Sequence, residues 1–369
     1  MFRFGLVALV CLPAVAMADP PTAMEPVRVA KDGKRFVLER SGKKFIPWGF
    51  NYDHDAKGRL IEDYWADEWS AIDGDFAEMK QLGANVVRVH LQFGKFMDAE
   101  EKPNARSLDR LGDLLKLAEK HHLYLDITGL GCYHKADVPE WYDKLSEADR
   151  WAAQAKFWEA VGGRCKESPA VFCYDLMNEP VVPGGKRKPG DWLGPPFAGK
   201  YFVQVISLDQ AGRKRPDIAR EWVKALVAAI RKVDKSHLVT VGLVDWSLDR
   251  PGLTSGFVPE AIADDLDFLC IHLYPQARKV DDAIETLKGF AAVGKPVVIE
   301  ETFPLRCGRD EFELFLKKSE PHAAGVIGFY WGTPPEELKT EKGIASEMLL
   351  GWLEIFQKRG KELRVIGKK

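Results

Sequence analysis

Cysteine is scarce and scattered. Six occur in 369 residues, no two form a CxxC pair, and the five beyond the N-terminal stretch are Cys132, Cys165, Cys173, Cys270 and Cys307. An odd set spread this widely is neither a disulfide framework nor a zinc-ligand pattern, although an oxidising compartment would allow one bridge. An excess of one charge is missing too. A net charge of −2 gives no electrostatic case for nucleic acid or an anionic membrane surface, and the basic run GGKRKPG (184–190) reads as a solvated loop. Past the N-terminus there is no uninterrupted apolar run of about 18 residues, which argues against a transmembrane helix. Low-complexity linkers and repeats of 20 to 50 residues are absent as well.

What is present begins with a leader. Arg3, the apolar FGLVALVCLPAVAMA and the A-x-A pattern ending at Ala18 read as a signal peptide. Val10 and Leu9 are poor neighbours for a lipid anchor on Cys11, so the expectation is a secreted or periplasmic chain with one catalytic domain over 19–369. That length suits an α/β barrel.

Eight strand-like runs alternate with helical patterns: 44–51, 85–92, 123–129, 170–179, 237–244, 266–274, 295–301 and 324–332. Most are continuously apolar, as parallel strands covered on both faces should be. Ile72, Phe76 and Met79 form a helical stripe ending at Gly83, and Ile218, Trp222, Leu226 and Ile230 form another. Leu108, Leu111, Leu115 and Ala118 do the same between the second and third strands. The class is therefore α/β, with eight strands predicting a closed (β/α)8 TIM barrel; counting alone leaves an open doubly wound sheet as the alternative. Residues 27–42 carry a Lys-Asp-Gly-Lys turn and read as a short N-terminal β-hairpin outside the barrel.

Polar residues gather at the C-terminal strand ends, where barrel active sites form. Strand two holds Arg88 and His90, strand four ends in Asn178 and Glu179, strand six in His272 and Tyr274, and strand seven in Glu300 and Glu301. Strand eight runs out at Trp331. Alternation puts Phe268, Cys270, His272 and Tyr274 on one face; it groups Glu301 with Val297 and Ile299 and sends Glu300 outward against a helix. Asn178 and Glu179 are adjacent and cannot both face inward in a regular strand, so the chain must leave strand geometry before Pro180. A carboxylate at an apolar barrel mouth is costly unless paired or used. Glu179 and Glu301 could face each other across a sugar-sized gap, one protonated in a less polar setting and one kept ionised by Arg88, as a retaining glycosidase requires. His90 reads as a satisfied core histidine rather than a ligand.

From GKKFIPWGFNY (42–52) to GFYWG (328–332), the chain resembles glycoside hydrolase family 5, the cellulase and mannanase family. The resemblance implies that Glu179 of NEP (178–180) is the acid/base and that Glu301 of KPVVIEETF (295–303) is the nucleophile. It implies that Arg88 hydrogen-bonds the nucleophile and lowers its pKa, that Tyr274 touches it, and that His272 orients the acid/base. Asn178 would hold the 2-hydroxyl of the reacting sugar and Trp331 would form an aromatic floor. The chain departs from the family where many members carry a strand-three histidine: LDITGLGCYH (125–134) has Thr128, with His134 as the candidate substitute.

Trp246 is the expected sugar-stacking tryptophan, with Trp65 and Trp192 next and Trp69 and Trp141 also on the loop side. The long segment 180–214 is expected to wall one side of the cleft. The reading is a retaining β-glycosidase acting on β-linked polysaccharide of mannan or glucan type. It is expected to be a monomer, with no metal or cofactor and with polysaccharide or oligosaccharide as its partner. The alternatives are an exo-acting β-glycosidase on oligosaccharides and a non-catalytic carbohydrate-binding barrel. A barrel for phosphorylated metabolites is disfavoured, because no glycine-rich phosphate loop follows strands seven or eight.

Overall fold

The computed structural model describes residues 23–329 and 332–366; the leader expected over 1–18 and the aromatic floor expected at Trp331 lie outside them. Eight parallel strands close into a barrel. They are β1 (Trp48–Tyr52), β2 (Val86–Gln92), β3 (Tyr124–Gly131), β4 (Val171–Asn178), β5 (Leu238–Val244), β6 (Leu269–His272), β7 (Val297–Glu301) and β8 (Gly325–Gly328). The helices that follow them in turn are α1 (Trp69–Leu82), α2 (Ala105–His121), α3 (Glu147–Cys165), α4 (Arg215–Val233), the single-turn α5 (Pro259–Ile262), α6 (Val280–Ala291), α7 (Arg309–Ser319) and α8 (Ile344–Ile366). The expected apolar stripes face the barrel. Ile72, Phe76 and Met79 are buried in α1, which stops where Gly83 takes a φ of 112°, a conformation open to glycine. Ile218, Trp222, Leu226 and Ile230 are buried in α4.

The N-terminal hairpin is present and carries a third strand. Val27–Val29, Phe36–Leu38 and Lys44–Phe45 pair antiparallel, so Lys44 and Phe45 belong to this meander rather than to barrel strand one. Its inner side chains plug the bottom of the barrel. Val27, Phe36 and Phe45 pack with Val86, Tyr124, Phe172, Leu238, Phe268, Val298 and Ile327 in one buried cluster. Phe36 meets Phe172 and Phe268 edge-on, with ring centroids 5.2 and 5.1 Å apart. The lower interior is therefore dry and apolar, and side chains at the opposite strand parity face the helices. All five described cysteines are free thiols. No helix among the described residues is long and apolar enough to cross a membrane.

Candidate active site

Above the plug, the interior turns polar around one guanidinium. Arg88 is fully buried; Nη1 donates to Glu301 Oε1 at 2.7 Å and Asn51 Oδ1 at 2.8 Å, and Nη2 donates to Asp175 Oδ2 at 2.7 Å and Asn178 Oδ1 at 3.0 Å. Glu300 Oε2 lies 3.5 Å from Nη2. Burial alone would lower Arg88, but Glu300, Asp175 and Glu301 outweigh it and hold the guanidinium well above its ordinary value.

The placement of Glu300 corrects the strand-seven reading. It points into the barrel, fully buried, with Oε2 3.3 Å from His272 Nε2. Val298 and Glu300 share the interior parity, while Val297 and Ile299 pack toward the helices. Glu301 joins them inside because the ladder slips by one residue: Ile271 pairs with Ile299 but His272 pairs with Glu301. Counting backward from Glu301 inverted the parity of the whole strand.

A similar slip frees Glu179. Thr240 pairs with Asp175, yet Gly242 pairs with Asn178, and Glu179 then takes a φ of +48°. That left-handed turn, rare for a non-glycine residue, is the expected departure from strand geometry. The Glu179 amide is held by the Gly242 carbonyl at 3.0 Å. Asn178 is fixed at both ends, accepting from Arg88 and donating from Nδ2 to the Phe202 carbonyl at 3.1 Å.

His272 lies between three carboxylates. Its Nδ1 is 3.0 Å from Glu179 Oε1 and 3.5 Å from Glu301 Oε2, and its Nε2 faces Glu300. Burial opposes the charged ring, but these neighbours raise it to about 10, so it is an imidazolium at neutral pH. Tyr274 donates its hydroxyl to Glu301 Oε2 at 2.8 Å. One atom each of Glu179, His272 and Glu301 lie within 4.8 Å of one another, so the two carboxylates from β4 and β7 open onto one point. The same donor set is also the one described cluster whose spacing could hold a cation.

The resemblance implied a lowered pKa for Glu301. Glu301 is the more buried, and burial pushes it above the ordinary carboxylate range while His272, Arg88 and Tyr274 pull it back without cancelling. Arg88 thus binds Glu301 as expected but does not bring it low.

Several site groups escaped sequence reasoning. Asp175 accepts from Arg88, from Thr128 Oγ1 at 2.7 Å and from the Gly242 amide at 2.7 Å. Burial and Glu300 raise it to about 6. Asp126 lies beneath, fully buried and without a hydrogen-bond partner, and burial together with Glu300 holds it well above its ordinary range. Both are acids at mid-strand in apolar runs, a signal that was there to read. Gly242 is required sterically: a Cβ there would sit 2.9 Å from Glu300 Oε2, 2.9 Å from His272 Nε2 and 3.0 Å from Arg88 Nη2.

Thr128, where the resemblance led to the expectation of a histidine, turns inward to Asp175, while His134 is half-buried and outside the cavity lining. His90 is the satisfied histidine expected: it is driven well down by burial and Arg88, and so is neutral. Asn51 Nδ2 donates to the Glu300 carbonyl, so its Oδ1 accepts from His90 Nε2 at 3.2 Å and His90 Nδ1 accepts from the Tyr133 hydroxyl at 2.6 Å.

The site opens into a cavity of about 690 Å³ lined by Asn178, Glu179, Trp246, His272, Tyr274 and Glu301. Residues 195–203 form part of its wall, as the long segment after strand four suggested. Trp65 and Trp192 are instead core: Trp65 packs on Phe96, and Trp192 is buried with its indole N–H on Asp143 at 2.7 Å. Trp69 and Trp141 also lie outside the lining.

The family profile described as Cellulase (glycosyl hydrolase family 5) matches residues 40–302, a stretch that takes in both strand-end glutamates. The chain belongs to glycosyl hydrolase family 5. Among its family 5 relatives is a probable mannan endo-1,4-beta-mannosidase A-1 of Aspergillus terreus, 24% identical over 277 residues, 62% of this chain and 62% of that protein. Mannan endo-1,4-beta-mannosidase A of Podospora anserina is 23% identical over 350 residues, 82% of this chain and 80% of that one. The chain thus spans about three-fifths of the length of several curated relatives. In structure it is similar to an endo-1,4-beta-mannanase from Rhizomucor miehei, with a TM-score of 0.63 at 18% identity over 90% of this chain and 99% of that one. It is also similar to an exo-beta-1,4-mannosidase from Opitutaceae bacterium strain TAV5, with a TM-score of 0.64 at 18% identity over 92% of this chain and 63% of that one. At that identity the likeness establishes the barrel fold alone.

Proposed function

We propose that this chain is an exported retaining β-glycosidase that cleaves β-1,4-mannan or a closely related β-linked polysaccharide within the chain. The observation carrying the reading is the convergence of Glu179 and Glu301, with a carboxylate oxygen of one within 4.8 Å of a carboxylate oxygen of the other. That spacing fits double displacement, for which carboxyls stand about 5 to 5.5 Å apart, rather than the wider gap of an inverting enzyme. The names of the curated relatives support mannan as the substrate.

In this mechanism Glu301 attacks the anomeric carbon as the bond to the leaving oxygen breaks, and Glu179 gives that oxygen its proton. Glu179 then takes a proton from water, whose oxygen displaces Glu301 and restores both carboxyls. Arg88 and Tyr274 each hold one Glu301 oxygen and aim it. His272, in reach of both glutamates, stabilises whichever carries charge at each step. Asn178 contacts the 2-hydroxyl, and Trp246 stacks on a sugar face.

Glu301→Gln should cut turnover by about a thousandfold or more with the fold intact. A 2-deoxy-2-fluoro glycoside should leave a covalent adduct on Glu301 that mass spectrometry locates. Unchanged turnover in Glu301→Gln sinks the reading. A reducing-sugar screen on mannan, cellulose, mixed-linkage glucan, xyloglucan and xylan decides the sugar. Full activity after dialysis against EDTA is the expected result for a reaction that two glutamates carry alone.

A further inference from the structure

The segment after β4 carries a feature that the reaction at Glu179 and Glu301 does not use. Phe197 and Lys200 exchange both backbone hydrogen bonds, at 2.8 and 3.0 Å, around a two-residue tip. Both tip residues are left-handed, Ala198 at a φ of +48° and Gly199 at +78°. Positive φ at both positions is the signature of a type I′ turn, and an alanine holds it only where the surroundings impose it.

Below the tip, Gly194 bonds the Val203 carbonyl at 2.8 Å, and the Tyr201 amide bonds the Tyr133 carbonyl at 3.0 Å. Phe202 packs on Tyr133 with ring centroids 4.9 Å apart, and its carbonyl accepts from Asn178. The turn is thereby tied to the reacting site through Asn178, yet its side chains reach beyond it.

Its two flanking residues are unlike any ordinary loop tip. Phe197 is 67% exposed although it lines the cavity. Lys200 lines the same cavity at only 7% exposure, and its ammonium has no ion pair or side-chain hydrogen bond among the described residues. Its Nζ instead reaches across to the loop after β1, 3.4 Å from where a Cβ on Gly58 would sit. An exposed aromatic on a cleft wall offers a flat apolar surface, and a lysine whose stem is buried while its unpaired ammonium stays open to the cleft leaves three donors free for acceptors. A pyranose supplies both, with an apolar C–H face and a rim of hydroxyls. An anionic sugar gains little, because Asp53, Glu179, Asp245 and Glu301 line the same cavity alongside Lys200, His272 and Arg306.

We propose that the Phe197–Lys200 turn is a sugar-binding subsite beyond the reacting ring, with Phe197 stacked on a neutral pyranose and Lys200 donating to hydroxyls of the adjoining unit. The proposal rests on the glycosidase reading, but its test does not need turnover. Calorimetry on Glu301→Gln, alone and combined with Phe197→Ala or Lys200→Met, measures affinity for β-1,4-linked manno- and gluco-oligosaccharides from disaccharide to hexasaccharide. Affinity of the parent should rise with length. Each added substitution should weaken the hexasaccharide on the order of tenfold and the disaccharide much less, with Lys200→Arg recovering part of the loss. An unchanged ratio of hexasaccharide to disaccharide affinity overturns the proposal, as does equal loss at every length or failure to bind either series. Wild-type enzyme that binds the series with this length dependence and hydrolyses none of it counts instead against the glycosidase reading.

Discussion

The two halves of the barrel interior are made of opposite materials. The lower half is aromatic and aliphatic, closed by Phe36 and Phe45 of the meander against Phe172 and Phe268. The upper half buries Arg88, Asp126, Asp175, His272 and Glu300 in the same cylinder. Apolar packing gains from removal of water at roughly 25 cal/mol per Å² and tolerates imprecise partners, whereas buried charge is costly unless every neighbour is placed. The lower half is built for stability. The upper half gives up stability to hold two glutamates at fixed aim, and the two halves should respond to substitution in different currencies.

The sharpest break is at Arg88. Arg88→Met strands Asp175, Glu300 and Glu301 without their shared cation, so activity should fall by at least about a thousandfold and stability by about 3–5 kcal/mol, read by kinetics and denaturant unfolding. Phe36→Ala opens a cavity in the plug and should cost a comparable 3–5 kcal/mol, while kcat per folded molecule stays near wild type. If Phe36→Ala loses activity as steeply as Arg88→Met, the division between the halves is wrong.

Gly242→Ala is a smaller intrusion into the upper half. Its methyl meets Glu300, His272 and Arg88 at about 3 Å, and it should cost about 1–3 kcal/mol along with most of the activity. The same change at the exposed Gly343, which has nothing within 4 Å, is the control.

The gentlest probe is pH. The folded pKa of His272 is raised from 6.5 to about 10, so its contribution to stability is complete below the lower value and is lost as pH rises through the upper one. The thermal midpoint should therefore decline across that alkaline window. Glu300→Gln removes one carboxylate from the ring, lowers the folded pKa of His272 and brings the decline to lower pH. Burial and then Glu300 raise Asp126, so loss of Glu300 would lower it and could mask the change, and the double variant with Asp126→Asn gives the clean reading. The groups facing Glu300 are Arg88, Asp126, Cys173, Asp175, Cys270 and His272, and NMR of the His272 ring follows the titration directly. A ring that titrates identically in both variants means Glu300 does not set its charge.

The barrel and the apolar helix stripes were readable because both follow from local repetition. Arg88, His272 and Tyr274 were placed by a resemblance, and their contacts to Glu301 and Glu179 lie where it implied. The misreadings share a cause. Glu300 was sent outward, and Trp65 and Trp192 toward the sugar, by inferring side-chain direction from position in the chain. Thr128 was read as a gap in the pattern, yet it is a donor to Asp175.

By itself the sequence determined which segments are strands and helices, and that acids, an arginine and a histidine would gather at one end of them. Those follow from side-chain chemistry at short range. Which face each strand-end residue presents was decided only by barrel closure, because a strand's register depends on the neighbours it must match. Two one-residue slips, opposite Glu179 and Glu301, turned adjacent residues to the same side and brought the two carboxylates together.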